Sequence, residues 1–135
     1  MLREFEQSLG SDTVVIADLE AGIGTLTRLQ EGQIDRVIVV SEPSVKSVQA
    51  ATRAIEQADR VGAHVLIVAN RIKSDDDRQY LEDSFPHRHM VVVPDDETIT
   101  DADRLGRAPL DHSPEGLGVQ AIGAVATALV RQEST

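Results

Sequence analysis

The 135-residue chain contains no cysteine, which excludes a disulfide framework, a thiolate metal site and a cysteine nucleophile at once. Aromatic residues make up 2% of it, too few for the stacking platforms that grip single-stranded nucleic acid. Positive charge is also scarce. The only lysines are Lys46 and Lys73, and 13 basic against 23 acidic residues give a formal net charge of -10, a balance that repels phosphate backbones and anionic lipid. No apolar run approaches a membrane span, and the opening "MLREFEQSLG" lacks the apolar centre of a signal peptide. A cytoplasmic protein that binds neither nucleic acid nor membrane is expected.

What the chain does have is one domain's worth of residues and 41% hydrophobic composition, enough for a single core. Four apolar, β-branched runs stand out: 13–18 (TVVIAD), 36–41 (RVIVVS), 64–70 (HVLIVAN) and 90–94 (MVVVP). Their hydrophobicity is continuous rather than alternating, the mark of parallel strands covered on both faces. Between them lie helical periods. The stretch 44–61 opens with Ser44 as N-cap and repeats Val45, Val48, Ile55 and Ala58 at helical spacing. The stretch 74–85 starts with three aspartates, which complement a helix dipole and lack the glycine and closing glutamate of a calcium loop. A last helix over 115–131 is rich in Ala and Gly, and Leu2, Phe5 and Leu9 suggest a short first helix ended by Gly10. The alternation predicts a three-layer α/β sandwich with a mainly parallel sheet and ligands at the carboxyl ends of its strands.

The strand ends, 18–24, 41–44, 70–71 and 94–96, therefore carry the candidate chemistry. Asp18 closes an apolar run and is followed by Gly22 and Gly24. An aspartate there can hold Mg²⁺ while a glycine lets backbone approach a phosphate, or it can cap the next turn. Asn70 offers a donor and an acceptor, the pair needed to read an adenine edge, or it can close a turn. His87 and His89 stand two apart without a third metal ligand in view, and His112 beside Asp111 and Ser113 reads as a turn rather than a triad.

Four segments in order resemble one family. "DTVVIADLEAGIGTLTR", the Glu-Pro-Ser turn with its helix, the strand ending in Asn70, and "VVVPDDETITDADRLGRAPLD" are similar to the CooC group of carbon-monoxide-dehydrogenase maturation ATPases. That group belongs with MinD, ParA and the nitrogenase iron protein, ATP-driven dimeric switches with a P-loop NTPase fold. The resemblance implies that Asp18 is the magnesium-associated switch residue, that Gly22 contacts the γ-phosphate and that Asn70 touches adenine. It further implies that Pro94 and Asp95 border the base. Arg71 stands where the group usually has lysine. The segment Asn70 to Lys73 lacks the aspartate of a guanine-reading motif, so ATP rather than GTP is implied.

The chain also departs from that family. The group's deviant Walker loop, Lys-Gly-Gly-x-Gly-Lys-Thr, is absent, since no glycine here precedes a Lys-Ser or Lys-Thr pair. Ile23, Gly24 and Thr25 replace the usual Ile-Glu-His, and the paired nickel-binding cysteines are missing. Phosphate contacts supply the transition-state stabilisation of this chemistry. The expectation is therefore a degenerate or partial nucleotide-binding module that takes Mg-ATP weakly, or only with a partner, and does not hydrolyse it alone. One half of a split ATPase completed by a P-loop-bearing chain, or a truncated gene product, are the alternatives. A homodimer or a P-loop partner is expected because the strand that would separate 13–18 from 36–41 in that fold is not in this sequence. Those two runs must pair directly or leave backbone groups unpaired.

Overall fold

Two β-α-β crossovers build the sheet. In the computed structural model, which describes residues 13–19, 28 and 30–131, strand β1 (Arg36–Ser41) leads through helix α1 (Val45–Arg60) to β2 (His64–Ile72). β2 leads through α2 (Asp75–Ser84) to β3 (Met90–Pro94). The strands are parallel in the order β1-β2-β3, with Val37 beside Val65 and Ile67 beside Met90. Helices α3 (Glu97–Arg104), α4 (Pro109–His112) and α5 (Leu117–Arg131) follow.

The residue pattern explains which side each helix covers. Val39, Ile67 and Ala69 point to one face and pack with Ala51 and Ile55 of α1, Leu81 of α2 and Phe85. Ile67 and Leu81 are fully buried, each contributing about 1.5–3 kcal/mol of hydrophobic stabilisation. On the other face α5 lies against β3, and Leu66, Val68, Val93 and Val119 are buried. The expected α/β sandwich with a parallel sheet is therefore present.

Helix boundaries follow local chemistry. The Ser44 and Ser74 hydroxyls accept from the Ser47 and Asp77 amides, filling donors that a helix start leaves open. Helix α1 ends because Gly62 takes φ +72°. Its N–H donates to Asp59 O and that of Ala63 to Ala58 O, the paired closure that a left-handed residue makes possible. Arg88 then forks onto Asp59 at 3.0 and 2.6 Å and ties the end of α1 to the entry of β3. The pair is substantially exposed, so it contributes at most about 1 kcal/mol.

Two expectations about the sheet are corrected. Residues 13–18 form no strand: they lack regular structure, and Val14 and Ile16 are 83% and 84% exposed. A strand's hydrogen bonds come only from a neighbour, and no strand among the described residues lies beside this run, so apolar pattern alone does not make it a strand. Of the two outcomes open to 13–18 and 36–41, direct pairing is not the one seen, and β1 has a strand on one side only among the described residues. Nor is β1 covered on both faces, because Ile38 and Val40 are 40% and 57% exposed. Only β2, with Leu66 to Ala69 all buried, has the double coverage that continuous hydrophobicity implied. The short helix expected around Leu2, Phe5 and Leu9 lies outside the described residues.

Asp96 joins the end of the sheet to the last helices. It is the N-cap of α3, its Oδ1 accepting from the Thr98 hydroxyl at 2.7 Å and the Thr98 amide at 2.9 Å. Its Oδ2 accepts from the Gly118 amide in the first turn of α5 at 2.8 Å. The Thr98 hydroxyl, then the Gly118 and Thr98 amides, hold this carboxyl below the usual range, as hydrogen bonds to a charged form must. The approach needs glycine. A Cβ on Gly118 would lie 2.8 Å from both Asp96 Cβ and Ile99 Cδ1, and this contact, not torsional freedom, requires glycine there.

Two outcomes follow for this joint. Gly118→Ala should lower unfolding stability by about 1–3 kcal/mol in denaturant titration, because neither backbone nor Asp96 can retreat freely. A lowered folded pKa makes the Asp96 contribution complete above its unfolded value near 3.9 and progressively lost as pH falls through the folded value. Unfolding stability should therefore fall more steeply below about pH 4 in the native protein than in Asp96→Asn, as measured by denaturation across pH.

Candidate functional site

The carboxyl ends of β2 and β3 do not run in simple register. Ala69 lies beside Val92, but Ile72 lies beside Pro94, so Asn70 and Arg71 together oppose Val93. This is a bulge of one extra residue, and Arg71 accommodates it at φ +57°. A left-handed non-glycine residue costs about 1–2 kcal/mol, and bulges of this kind re-aim side chains at sheet ends. The strand thereby continues past Asn70 to Ile72 instead of stopping at 70.

The bulge opens onto a cleft of about 470 Å³ formed by Asn70, Arg71, Pro94, Asp95 and Asp96 with the start of α3, Arg107, Pro109 and α5. Val93, Ile99, Pro109 and Ile122 supply apolar surface; Asn70 and Thr100 supply neutral polar groups; Asp103 and Arg107 add charge at the rim. The volume and the mixture of apolar wall with a few convergent polar groups suit a small planar ligand. Asp95 stands between two cations, with Arg71 Nε at 3.3 Å and Lys73 Nζ at 3.7 Å. Arg71 also reaches Glu42 at the end of β1, Nη1 to Oε1 3.7 Å. These pairs are solvated and weak individually, but they link the ends of all three strands.

Asn70, Arg71, Pro94 and Asp95, taken from two segments 24 residues apart by the Arg71–Asp95 contact, thus line one cleft. Asp18 does not join them in a sheet-end constellation. It is exposed, within the unpaired run 13–19. Gly22 lies outside the described residues. His87 takes φ +62° in the turn before β3, and among the described residues no three His, Asp or Glu side chains stand together as a metal site. His112 ends α4 and Ser113 follows it as the C-cap, consistent with a turn.

Sequence reasoning reached Asp96 only as part of the strand end 94–96 and did not single out Thr100, Asp103, Arg107 or Ile122 as site residues. For Asp96 a local signal existed, since Asp before Glu-Thr-Ile is a helix start. The other four are brought in by the packing of α3 and α5 and carry no local signature.

Against the outline of Mg-ATP the described residues fit one end only. The apolar wall with Asn70 at its edge matches a base. The phosphate end is less well served, because the first-turn Gly118 amide of α5 already binds the Asp96 carboxylate and the start of α1 is capped by Ser44. Asp18 is a single carboxylate that could supply one magnesium contact, through phosphate oxygens or water.

The architecture is that of a Rossmann-like α/β domain with its cleft at the carboxyl ends of parallel strands. No family model matches the chain. It is similar to three proteins of Methanocaldococcus jannaschii, each named as an uncharacterized ATP-binding protein. One is 29% identical over 108 residues, covering 78% of this chain and 43% of the relative. A second is 29% identical over 103 residues, covering 73% and 40%. The third is 26% identical over 121 residues, covering 87% and 46%. The chain therefore spans less than half the length of these relatives. No helix among the described residues is long and apolar enough to cross a membrane.

The bulge yields a stability test. Both Arg71→Gly and Arg71→Ala delete the exposed ion pairs, so their difference isolates backbone strain. The glycine variant should be the more stable by about 1 kcal/mol, reversing the usual order of alanine over glycine. Denaturant midpoints at equal slope would show it.

Proposed function

We propose that the chain is a nucleotide-binding module whose cleft takes the adenine of ATP and that it does not hydrolyse ATP alone. The observation that carries this reading is the convergence of Asn70, Arg71, Pro94 and Asp95 on one cleft at the ends of β2 and β3. Similarity to three ATP-binding proteins supports the same ligand class. In this reading the Asn70 amide pairs with the adenine edge as donor and acceptor at once. Pro94 and Ile122 cover the ring faces, and Arg71 holds Asp95 at the border of the base. Asp18 and Gly22 would serve magnesium and the γ-phosphate. Bound Mg²⁺ would neutralise charge on the phosphates. With no Walker loop in the sequence, this chain would place no backbone nest or lysine there to stabilise charge developing during transfer. The module would then act as a binding or regulatory switch of the MinD and CooC type rather than as an enzyme.

A second reading is one half of a split ATPase, completed by a P-loop-bearing polypeptide that brings Asp18 and Gly22 to the phosphates. The absence, among the described residues, of a strand beside run 13–18 favours it.

Calorimetric titration separates these readings. Mg-ATP should bind and Mg-GTP should not, and Asn70→Ala should weaken ATP binding about tenfold, the loss expected for one or two hydrogen bonds. Phosphate release by the isolated chain should equal that of Asp18→Ala. Magnesium-dependent hydrolysis that disappears in Asp18→Ala would overturn the first reading in favour of the second, and absence of any nucleotide binding would count against the first.

A further inference from the structure

The charged groups at the three strand ends form a chain rather than separate pairs. Glu42, Arg71, Asp95 and Lys73 alternate in sign, with successive contacts of 3.7, 3.3 and 3.7 Å. Each end of the chain is pinned at its backbone. The Glu42 amide donates to Ser47 Oγ in the first turn of α1 at 2.8 Å, and that hydroxyl stands 3.3 Å from the fully buried Ser41 Oγ. The Lys73 amide donates to Asp77 Oδ2 in the first turn of α2 at 2.9 Å. In the middle, the Asp95 amide donates to Ile72 O at 2.9 Å. Asp95 has the least exposed side chain of the four, at 33%. It lines the cleft together with Arg71, whereas Glu42 stands outside it.

We propose that Glu42 is a positioning residue for the cleft: it competes with Asp95 for the Arg71 guanidinium and so couples the occupant of the cleft to the turn after β1. The inference rests on the reading that the cleft takes adenine. A guanidinium is a rigid planar fork, and both of its contacts here are longer than the roughly 2.7–2.9 Å of a well-formed charged hydrogen bond. Arg71 is therefore divided between two carboxylates and fully committed to neither. A base seated beside Asp95 displaces water from that carboxylate, which strengthens its attraction for Arg71. The guanidinium is drawn toward Asp95 and its hold on Glu42 loosens. The coupling is reciprocal, so removing the Glu42 charge leaves Arg71 to Asp95 and readies the cleft for the base. A group that engages Glu42 from outside would tighten the cleft in the same way.

Adenosine is the probe, because it carries no phosphate to act on these charges directly. In calorimetry at about 0.05 M salt, Glu42→Gln should bind adenosine about threefold more tightly than the native chain, a size in keeping with a solvated ion pair. The advantage should shrink at about 0.5 M salt. In an Arg71→Ala background the same Glu42→Gln change should leave the affinity unaltered, as a double-mutant cycle requires if Glu42 acts through Arg71. Amide NMR supplies the affinities where binding is too weak for calorimetry. It should also show the Glu42 and Ser47 resonances moving with adenosine in the native chain and staying in place in Arg71→Ala. Circular dichroism and urea midpoints check that each variant keeps the fold. An affinity unchanged or weakened in Glu42→Gln, a Glu42 effect that survives in Arg71→Ala, or Glu42 and Ser47 amides indifferent to bound adenosine would each overturn the proposal. Those outcomes leave the adenine reading standing, whereas failure of the native chain to bind adenosine would remove both.

Discussion

Backbone hydrogen bonds in a parallel sheet can be made only with neighbouring strands, and that constraint orders everything else in this molecule. β2 alone has a strand on each edge and buried residues on each face, and it carries the deepest burial. β3 is covered by α5, β1 by α1 on one side only. Where no neighbouring strand is offered among the described residues, no strand forms. The run 13–18 has the composition of a buried strand, yet without a partner its valines and isoleucine stand in water.

The same sheet explains the cleft. One extra residue at Asn70–Arg71 turns the end of β2 outward just where β3 delivers Pro94 to Asp96. Asp96 then draws the first turns of α3 and α5 together through a single carboxylate, and Gly118 permits the approach. The cleft wall made by Ile99 and Ile122 depends on that joint, so the site and the stability of the C-terminal helices share one group. Arg71 sits at a cost of about 1–2 kcal/mol in the left-handed region, a cost that the surrounding ladder imposes. Its guanidinium spans toward Glu42 and Asp95, linking three strand ends that are far apart in sequence.

Much of this was legible from the residues. The runs at 36–41, 64–70 and 90–94 fall where strands form, and Ser44 caps the helix that its hydroxyl suggested. Strand ends identified Asn70, Arg71, Pro94 and Asp95, and the fold brings all four together. What failed was non-local. Continuous hydrophobicity in 13–18 and at Ile38 and Val40 implied cover that no described element supplies. The bulge depends on the register between β2 and β3, which no single stretch encodes. Arg107 and Ile122 reach the cleft only through the packing of α3, α4 and α5. Asp96 was half visible, as part of the strand end 94–96, while its bond to Gly118 spans 22 residues.

The central claim is that the cleft between the ends of β2 and β3 receives an adenine ring independently of any phosphate grip. An amide-resolved NMR titration with adenosine, which carries no phosphate, addresses it most directly. Resonances of Asn70, Arg71, Asp95 and Asp96 should shift together and saturate with one affinity, and the same set should respond to Mg-ATP. Shifts confined to another part of the chain, or none at adenosine concentrations in the millimolar range, would contradict the account.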